Sequence, residues 1–278
     1  MKTTDTDTVY LTGLGKVIKA YEEIAATRMR VIRSGVVKNR EFTGQLNQIF
    51  CLVKNSYIKE TQKYQVQMLR QKNGRIARIF FSTNTGLYGD IIQRIFNLYA
   101  SDLKDASSDA IIIGRLGKGL FESYYKGKKY TYFEIADKEV SLDQIANIVE
   151  FLAPYESVYV YHGLFKNILM QEAVCTNISG DSLPAPEEKV PTRKLIFEPL
   201  LTKTLRFFET EIFSGLLVHV VFESQLAKFS SRMASLEQAS ENIQKERILA
   251  IMQSSLLKKR SMNKKQLEMM AGSRLWGV

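Results

Sequence analysis

The distribution of proline constrains this chain more than any other feature of its sequence. All five prolines lie between Pro154 and Pro199, and the segment from Leu201 to Ala271 contains no proline and a single glycine. Because an α-helix interior excludes proline more strongly than any other residue, this segment predicts one helix roughly 105 Å long at ~1.5 Å per residue. The segment from Lys16 to about Arg70 also lacks proline and predicts a second long helix.

Apolar residues recur along both segments at steps of three and four. Such a stripe is typical of a coiled-coil seam, and neither helix has enough apolar surface to stand alone. We therefore expect the two helices to pair with each other. The stripe positions are Leu201, Leu205, Phe208, Ile212, Leu226, Phe229, Met233 and Leu236 in the C-terminal segment, and Val17, Tyr21, Ile24, Phe42, Leu46, Ile49 and Val53 in the N-terminal one.

The middle of the chain, residues 75–178, has a different pattern. Short apolar runs alternate with helical periods, which predicts a small α/β domain with a largely parallel sheet. The predicted fold class is thus α/β, with a long antiparallel α-helical coiled coil formed by the terminal helices and a small Rossmann-like base domain. The predicted domains are 1–70, 71–194 and 195–278; the predicted strands are 75–83, 110–114, 130–135, 157–161 and 168–178, with helices at 91–100 and 141–153.

Composition narrows the class of protein. An apolar fraction of 45% excludes a wholly disordered chain, and two cysteines suit a reducing compartment rather than a disulfide framework. The net charge of +10 favours an acidic partner, which could be nucleic acid, a membrane surface or an acidic protein. No apolar run is long enough to predict a membrane span, and the first ten residues do not resemble a signal peptide.

No motif in the chain predicts an active site. GLGK (13–16) and GRLGKG (114–119) lack the spacing and the hydroxyl residue of a phosphate-binding P-loop. His162 and His219 have no second ligand nearby, so packing or surface roles are the simpler interpretation. We find no nucleophile–base pair and no RNA- or DNA-binding motif.

The whole chain resembles the gamma subunit of F-type ATP synthases, the rotating central shaft. The resemblance rests on seven short segments in order, and several departures from the family pattern indicate a divergent member or a paralogue. Among the departures, Lys258 and Lys259 stand where the family has an Arg-Gln pair. The segments are KVIKAYEEIAATRM (16–29), FFSTNTGLYGDI (80–91), IGRLG (113–117), VYVYHGLF (158–165), IFEP (196–199), FESQLAKFSSRMASLEQASEN (222–242) and EMMAGS (268–273).

The resemblance implies a non-catalytic central-stalk subunit that couples ion-driven rotation to ATP synthesis or hydrolysis in an alpha/beta hexamer. It implies no cofactor and no nucleic acid. The implied partners are the alpha and beta subunits, the epsilon subunit and the c-subunit ring, with a peripheral location on the cytoplasmic side of a bacterial membrane. Alternatives are a shaft of a variant motor not coupled to ion transport, and a basic coiled-coil protein that binds nucleic acid.

The resemblance also implies three groups of contact residues. The first meets the catalytic head, the second meets the epsilon subunit or the membrane ring, and the third forms a loop of the base domain. The tip of the shaft is expected to lack large fixed hydrophobic contacts because it must turn. The groups are Lys16, Lys19, Tyr21, Lys258, Lys259, Arg260 and Met262; then Leu195, Phe197 and Glu198; then Gly86, Leu87 and Gly89.

Overall fold

The computed structural model describes residues 2–60, 73–103, 108–137, 142–179 and 201–275. Both predicted long helices are present as single elements of 59 and 75 residues. The described elements are α1 (Lys2–Glu60), β1 (Ile76–Phe81), α2 (Ile91–Asp102), β2 (Ser108–Ile113), α3 (Arg115–Tyr124), β3 (Thr131–Phe133), α4 (Leu142–Leu152), β4 (Ser157–Phe165), β5 (Gln171–Asn177) and α5 (Leu201–Leu275).

The five strands form one sheet in the order β3-β2-β1-β4-β5. The first four are parallel, and β5 alone runs antiparallel, as the partner of β4 in a hairpin. At the centre, Ile79 is in register with Ile111 on one side and Val160 on the other. The predicted strands and the largely parallel sheet are therefore confirmed.

Helix α3 was not predicted. Its sequence, RLGKGLFESY, contains two glycines, which lower helix propensity, and the sequence indicated only a glycine motif there. The helix forms because Phe121 is fully buried against the sheet, beside the rings of Tyr125 and Tyr130. Tertiary packing therefore overrides a weak local preference.

Alternate residues of β1 face two different cores. Phe80 stacks against Tyr99 and packs at a tilt against Phe96, in an aromatic layer covered by α2 and α3. Ile79 and Phe81 belong to the opposite aliphatic layer, which contains residues of α4 and α5. The members from α5 are Phe213, Leu217, Val220 and Val221. The base sheet is thus completed by the C-terminal helix.

By length and composition alone, one helical stretch of α5, Thr210–Gly272, could cross a membrane. Its most apolar window has a mean hydropathy of 1.3, and 67% of that window is buried within the fold. The packing of Phe213 to Val221 against the sheet accounts for this apolar character. Core helices commonly pass the same test.

The chain forms two compact units: one contains the described residues up to Ala26 and from Met233 onward, and the other is Thr27–Arg232. In the first unit the Cβ position of Gly15 lies 3.7 Å from a methyl of Ile243. In the second unit the Cβ position of Gly35 lies 3.8 Å from the ring of Phe222. In the first unit Glu22 also pairs with Glu237, so α1 and α5 run antiparallel there.

The predicted stripe on α1 is wrong at its exposed members, whereas Leu46 is half-buried and the side chain of Val53 lies outside the described part of the structure. The exposed members are Val17, Tyr21, Ile24, Phe42 and Ile49. Val17, Tyr21 and Ile24 are 51%, 43% and 52% exposed, whereas the buried residues of α1 include Ala25, Ile32 and Val36. The glycine contacts give the reason, since bulky side chains of α5 lie against small residues of α1. The α5 stripe is correct at Ile212, Leu226, Phe229 and Leu236, which are all buried, and Met233 is half-buried. The side chains of Leu201, Leu205 and Phe208 lie outside the described part of the structure.

Candidate functional site

The structure describes two of the three predicted groups of contact residues. Leu195, Phe197 and Glu198 lie outside the described residues. The loop with Gly86, Leu87 and Gly89 follows β1 in the larger unit. The remaining group is on the helix pair of the smaller unit, where all seven side chains are exposed.

The loop after β1, residues 82–90, has an unusual backbone. Leu87 has a φ of 67°, a left-handed conformation that costs a non-glycine residue free energy, and its side chain is 59% exposed. Gly89 has a φ of 61°, where glycine is unstrained. The loop therefore presents a leucine to solvent from a backbone that must be held in place.

Asp137, which follows β3, holds the first half of this loop. Its carboxylate accepts hydrogen bonds from the backbone amides of Asn84 and Thr85, at 3.0 and 2.9 Å, and from the hydroxyls of Thr83 and Thr85, at 2.9 and 3.0 Å. Asn84 adds a bond from its side-chain amide to the carbonyl of Ile135, at 2.8 Å. No pattern in the sequence predicts this role of Asp137.

The glycines of GRLGKG are required by close packing rather than by a phosphate. A Cβ atom at Gly114 would lie 2.7 Å from the backbone nitrogen of Thr83, and one at Gly117 would lie 2.5 Å from the Cβ of Ser82. The first two amides of α3 are already bonded, Arg115 to the Asn84 side chain and Leu116 to the Thr83 carbonyl. A phosphate would have to displace these protein acceptors.

One turn of α5 holds the second half of the loop. Ser231 donates its hydroxyl hydrogen to the carbonyl of Tyr88, at 2.8 Å. Arg232 donates to the carbonyl of Gly86, at 3.2 Å, and its guanidinium lies 4.8 Å from the centre of the Tyr88 ring. The fully buried Lys228 donates to the carbonyl of Ser82. We call residues 228–232 the α5 clasp.

The α5 clasp also binds the β4–β5 hairpin. Ser230 donates to the carbonyl of Ile168, at 3.0 Å, and accepts a bond from the buried side-chain amide of Gln171, at 3.1 Å. At the tip of this hairpin, Leu169 is 85% exposed and Met170 is 53% exposed. Two apolar loop tips are therefore fixed to the same turn of the C-terminal helix.

The histidine prediction is confirmed for His162, which is a packed core residue. Its two ring nitrogens lie 3.1 Å from the carbonyl of Gly163 and 2.9 Å from the hydroxyl of Thr176. Burial lowers the pKa of His162 to about 4, with smaller contributions from nearby positive charge. The neutral imidazole is thus the form that the fold holds near pH 7.

In the smaller unit, a groove of about 380 Å³ lies between α1 and α5. Lys19 and Glu22 of α1 line it, together with Glu237 and Arg247 of α5. Burial and a hydrogen bond to Glu237 raise the pKa of the Glu22 carboxyl. The helix pair thus carries polar groups along part of its seam.

The structure does not bring the two predicted head-contact clusters together. Gly15 faces Ile243, so Lys16 and Lys19 lie about 24–29 Å along α5 from Lys258, at ~1.5 Å per residue. The described part of α5 also exposes several large apolar side chains there, including Leu256, Met262 and Met269, at 56%, 61% and 74%. The expected lack of large fixed hydrophobic contacts at this end therefore stays a prediction.

A family model described as ATP synthase matches residues 10–251. An ATP synthase gamma chain from Pelotomaculum thermopropionicum is 26% identical over 243 residues, covering 82% of this chain and 81% of the relative. One from Coxiella burnetii is 23% identical over 245 residues, covering 82% of each chain.

Solved structures share the fold. A chain from the central stalk and c-ring structure of Tetrahymena thermophila mitochondrial ATP synthase has a TM-score of 0.59 and 18% identity, covering 81% of this chain and 99% of that one. A chain from an OSCP/F1/c-ring structure of the Euglena gracilis mitochondrial enzyme has a TM-score of 0.54 and 14% identity, covering 88% and 93%.

Proposed function

The chain belongs to the ATP synthase family as a gamma chain of the rotary enzyme, and from that premise we propose that it is the enzyme's non-catalytic shaft. Its rotation would couple ion flow to ATP synthesis or hydrolysis in an alpha/beta hexamer. The observation that carries this proposal is α5, one helix of 75 residues that completes the core of the base sheet and continues well beyond it. Such an element transmits rotation from a folded base.

The helix contacts support an antiparallel coiled coil of α1 and α5. Gly15 faces Ile243 in one unit, and Gly35 faces Phe222 in the other. We propose a division into residues 1–70, 71–194 and 195–278. The buried Phe213 and Leu217 give the third segment a second role, as part of the base core.

The exposed surface of the smaller unit supports a contact with the catalytic head. Lys16, Lys19 and Tyr21 would meet it from α1, and residues 258–260 with Met262 from α5. Exposed cations can pair with acidic loops and release them, since each such pair contributes only ~0.2–1 kcal/mol. The exposed apolar side chains would add a less polar area to the surface that turns against the head.

The foot of the shaft is proposed to include Leu195, Phe197 and Glu198, in contact with the epsilon subunit or the c-subunit ring. This assignment rests on the resemblance of IFEP to the family's foot segment. It would place the protein at the periphery of a membrane, on the cytoplasmic side in a bacterium. The alpha and beta subunits would be its partners at the other end.

Rotation in a reconstituted head tests this proposal directly. Cys175 is exposed, so Cys51→Ser and Cys175→Ser are introduced first, and Lys126→Cys then provides an attachment point on the base. We expect a bead at this position to rotate when ATP is supplied to the chain assembled with alpha- and beta-type subunits.

The chain alone serves as the control and should show no ATP turnover. Failure to assemble with alpha- and beta-type subunits would contradict the shaft. Assembly without rotation of the bead would contradict the proposed movement.

A further inference from the structure

Lys228 of the α5 clasp is a lysine in the core of the larger unit. It is 4% exposed, its ammonium group lies 4.3 Å from the centre of the Phe81 ring, and it donates to the carbonyl of Ser82. An ammonium group has three hydrogens to donate, and the Ser82 carbonyl takes one of them. A buried charge with too few partners costs free energy, so the surroundings of Lys228 require a further acceptor.

A small cavity adjoins this ammonium group. Its volume is about 10 Å³, close to the minimum for a single water molecule. Lys228, Ser82, Asp137 and Gln225 supply its polar lining. The Ser82 hydroxyl is buried, and it has no hydrogen-bond partner among the described residues. A water needs two to four polar partners, and this cavity offers them.

Both side chains that hold the start of the loop after β1, Asp137 and Lys228, line this cavity. Asp137 receives the amides of Asn84 and Thr85 on one side, and Lys228 holds the carbonyl of Ser82 on the other. The negative charge of Asp137 also acts on Lys228. A group that bridges the two side chains would therefore connect the loop to α5.

We propose that this cavity binds one water molecule, held by Lys228, Ser82 and Asp137, and that the charge on Lys228 sets how firmly the loop of residues 82–90 stays attached to α5. The proposal is independent of the rotary function, because it concerns only contacts within the larger unit.

The sign of the charge effect follows from burial. Burial lowers the pKa of Lys228 to about 7, although Asp137 acts in the opposite direction. Once the loop opens to water, the pKa should return to its ordinary value of about 10.4. Between about pH 7 and pH 10.4 the open state therefore binds more protons than the closed state. Raising the pH above about 7 then favours the closed state, so the loop is attached more firmly to α5.

Other charged and titratable groups line this cavity or lie close to it. Tyr88 lies in the lining. His162 of β4 acts electrostatically with Lys228, and its pKa is lowered to about 4. Asp137 is the remaining charged group of the lining. Arg232, on the same helix, lies over the Tyr88 ring.

Amide hydrogen exchange of the full chain tests the charge effect. The amides of Asn84 and Thr85, each corrected for intrinsic exchange, report loop opening. Protection should rise roughly thirtyfold between pH 6 and 8.5 if Lys228 titrates at about 7 when closed and about 10.4 when open. In Lys228→Met the protection should not depend on pH, because the titrating group is gone.

Lys118→Met is the matched control, because Lys118 also lies over an aromatic ring, that of Tyr132, but is exposed. Its loop protection should keep the pH dependence of the unaltered chain. Equal protection at all pH values in the unaltered chain, or an unchanged pH dependence in Lys228→Met, would overturn the charge effect.

Two measurements on the unaltered chain do not depend on a variant folding. In a titration of isotope-labelled lysines, one side chain should titrate about three pH units below the others. A high-resolution crystal structure should contain one water within about 3 Å of the Lys228 ammonium. A normal titration of every lysine overturns the charge effect, and an ordered cavity without a water peak overturns the water site.

Discussion

Replacing Gly114 by alanine should destabilise the larger unit by about 2–6 kcal/mol. Gly114 has a φ of 98°, which strains any other residue by about 1–3 kcal/mol. The added Cβ would also lie 2.7 Å from the Thr83 nitrogen and 2.9 Å from the Thr83 carbonyl oxygen. Thr83 cannot retreat easily because it is bonded to Asp137 and Leu116, so overpacking adds about 1–3 kcal/mol.

Gly119→Ala is the matched control in the same motif. Gly119 lies within α3, and no heavy atom lies within 4 Å of its Cβ position. Alanine there should stabilise the unit by about 0.5–1 kcal/mol. Urea unfolding followed by the near-ultraviolet circular dichroism of the packed tyrosines, such as Tyr99 and Tyr161, would measure both changes. Equal stabilities of the two variants would refute the close-packing explanation of GRLGKG.

Three further predictions concern the shaft and the core. Changing Lys258 and Lys259 to glutamate should leave assembly intact but reduce ATP turnover of the reconstituted head, more strongly at low salt, because exposed ion pairs are screened; unchanged turnover would show that force passes elsewhere. Crosslinks from position 198 should reach c-type or epsilon-type subunits. Crosslinks to the beta subunit alone would contradict the assignment of this segment to the foot of the shaft. The free energy of unfolding should fall by up to ~3 kcal/mol as the pH drops from about 6.5 to about 4, because His162 is neutral when folded and charged when unfolded. His162→Gln should remove this loss in acid urea titrations, and an unchanged acid dependence in that variant would assign the loss to other groups.

Much of the secondary structure follows from local sequence. The absence of proline after Leu201 predicts the long α5, and runs such as Ile111 to Ile113 predict buried strands. These signals are local because they depend on backbone sterics and on the period of apolar residues. Local sequence does not predict helix α3, because its two glycines lower the helix propensity. The burial of Phe121 stabilises this helix through tertiary packing.

The candidate site was harder to predict. Gly86, Leu87 and Gly89 were found through family resemblance, and the structure shows that they form a strained loop after β1. Asp137 and Lys228 were missed because they lie 54 and 146 residues from their partners in this loop. A carboxylate between β3 and α4 and a lysine within a long helix would each be read as exposed groups from sequence alone.

The sequence by itself determined the two long helices, the strands and the family. Helix formation, strand burial and the family segments each depend on residues that are close together in the chain. The tertiary structure alone decided which face of α1 is buried. Val17 and Tyr21 belong to the apolar stripe but are exposed, whereas the small residue Gly15 lies against α5 and Ala25 is buried. It also decided that Lys228 lies in the core. Both outcomes depend on long-range contacts, since a residue's burial is fixed by the partner that covers it and not by its own neighbours in the chain.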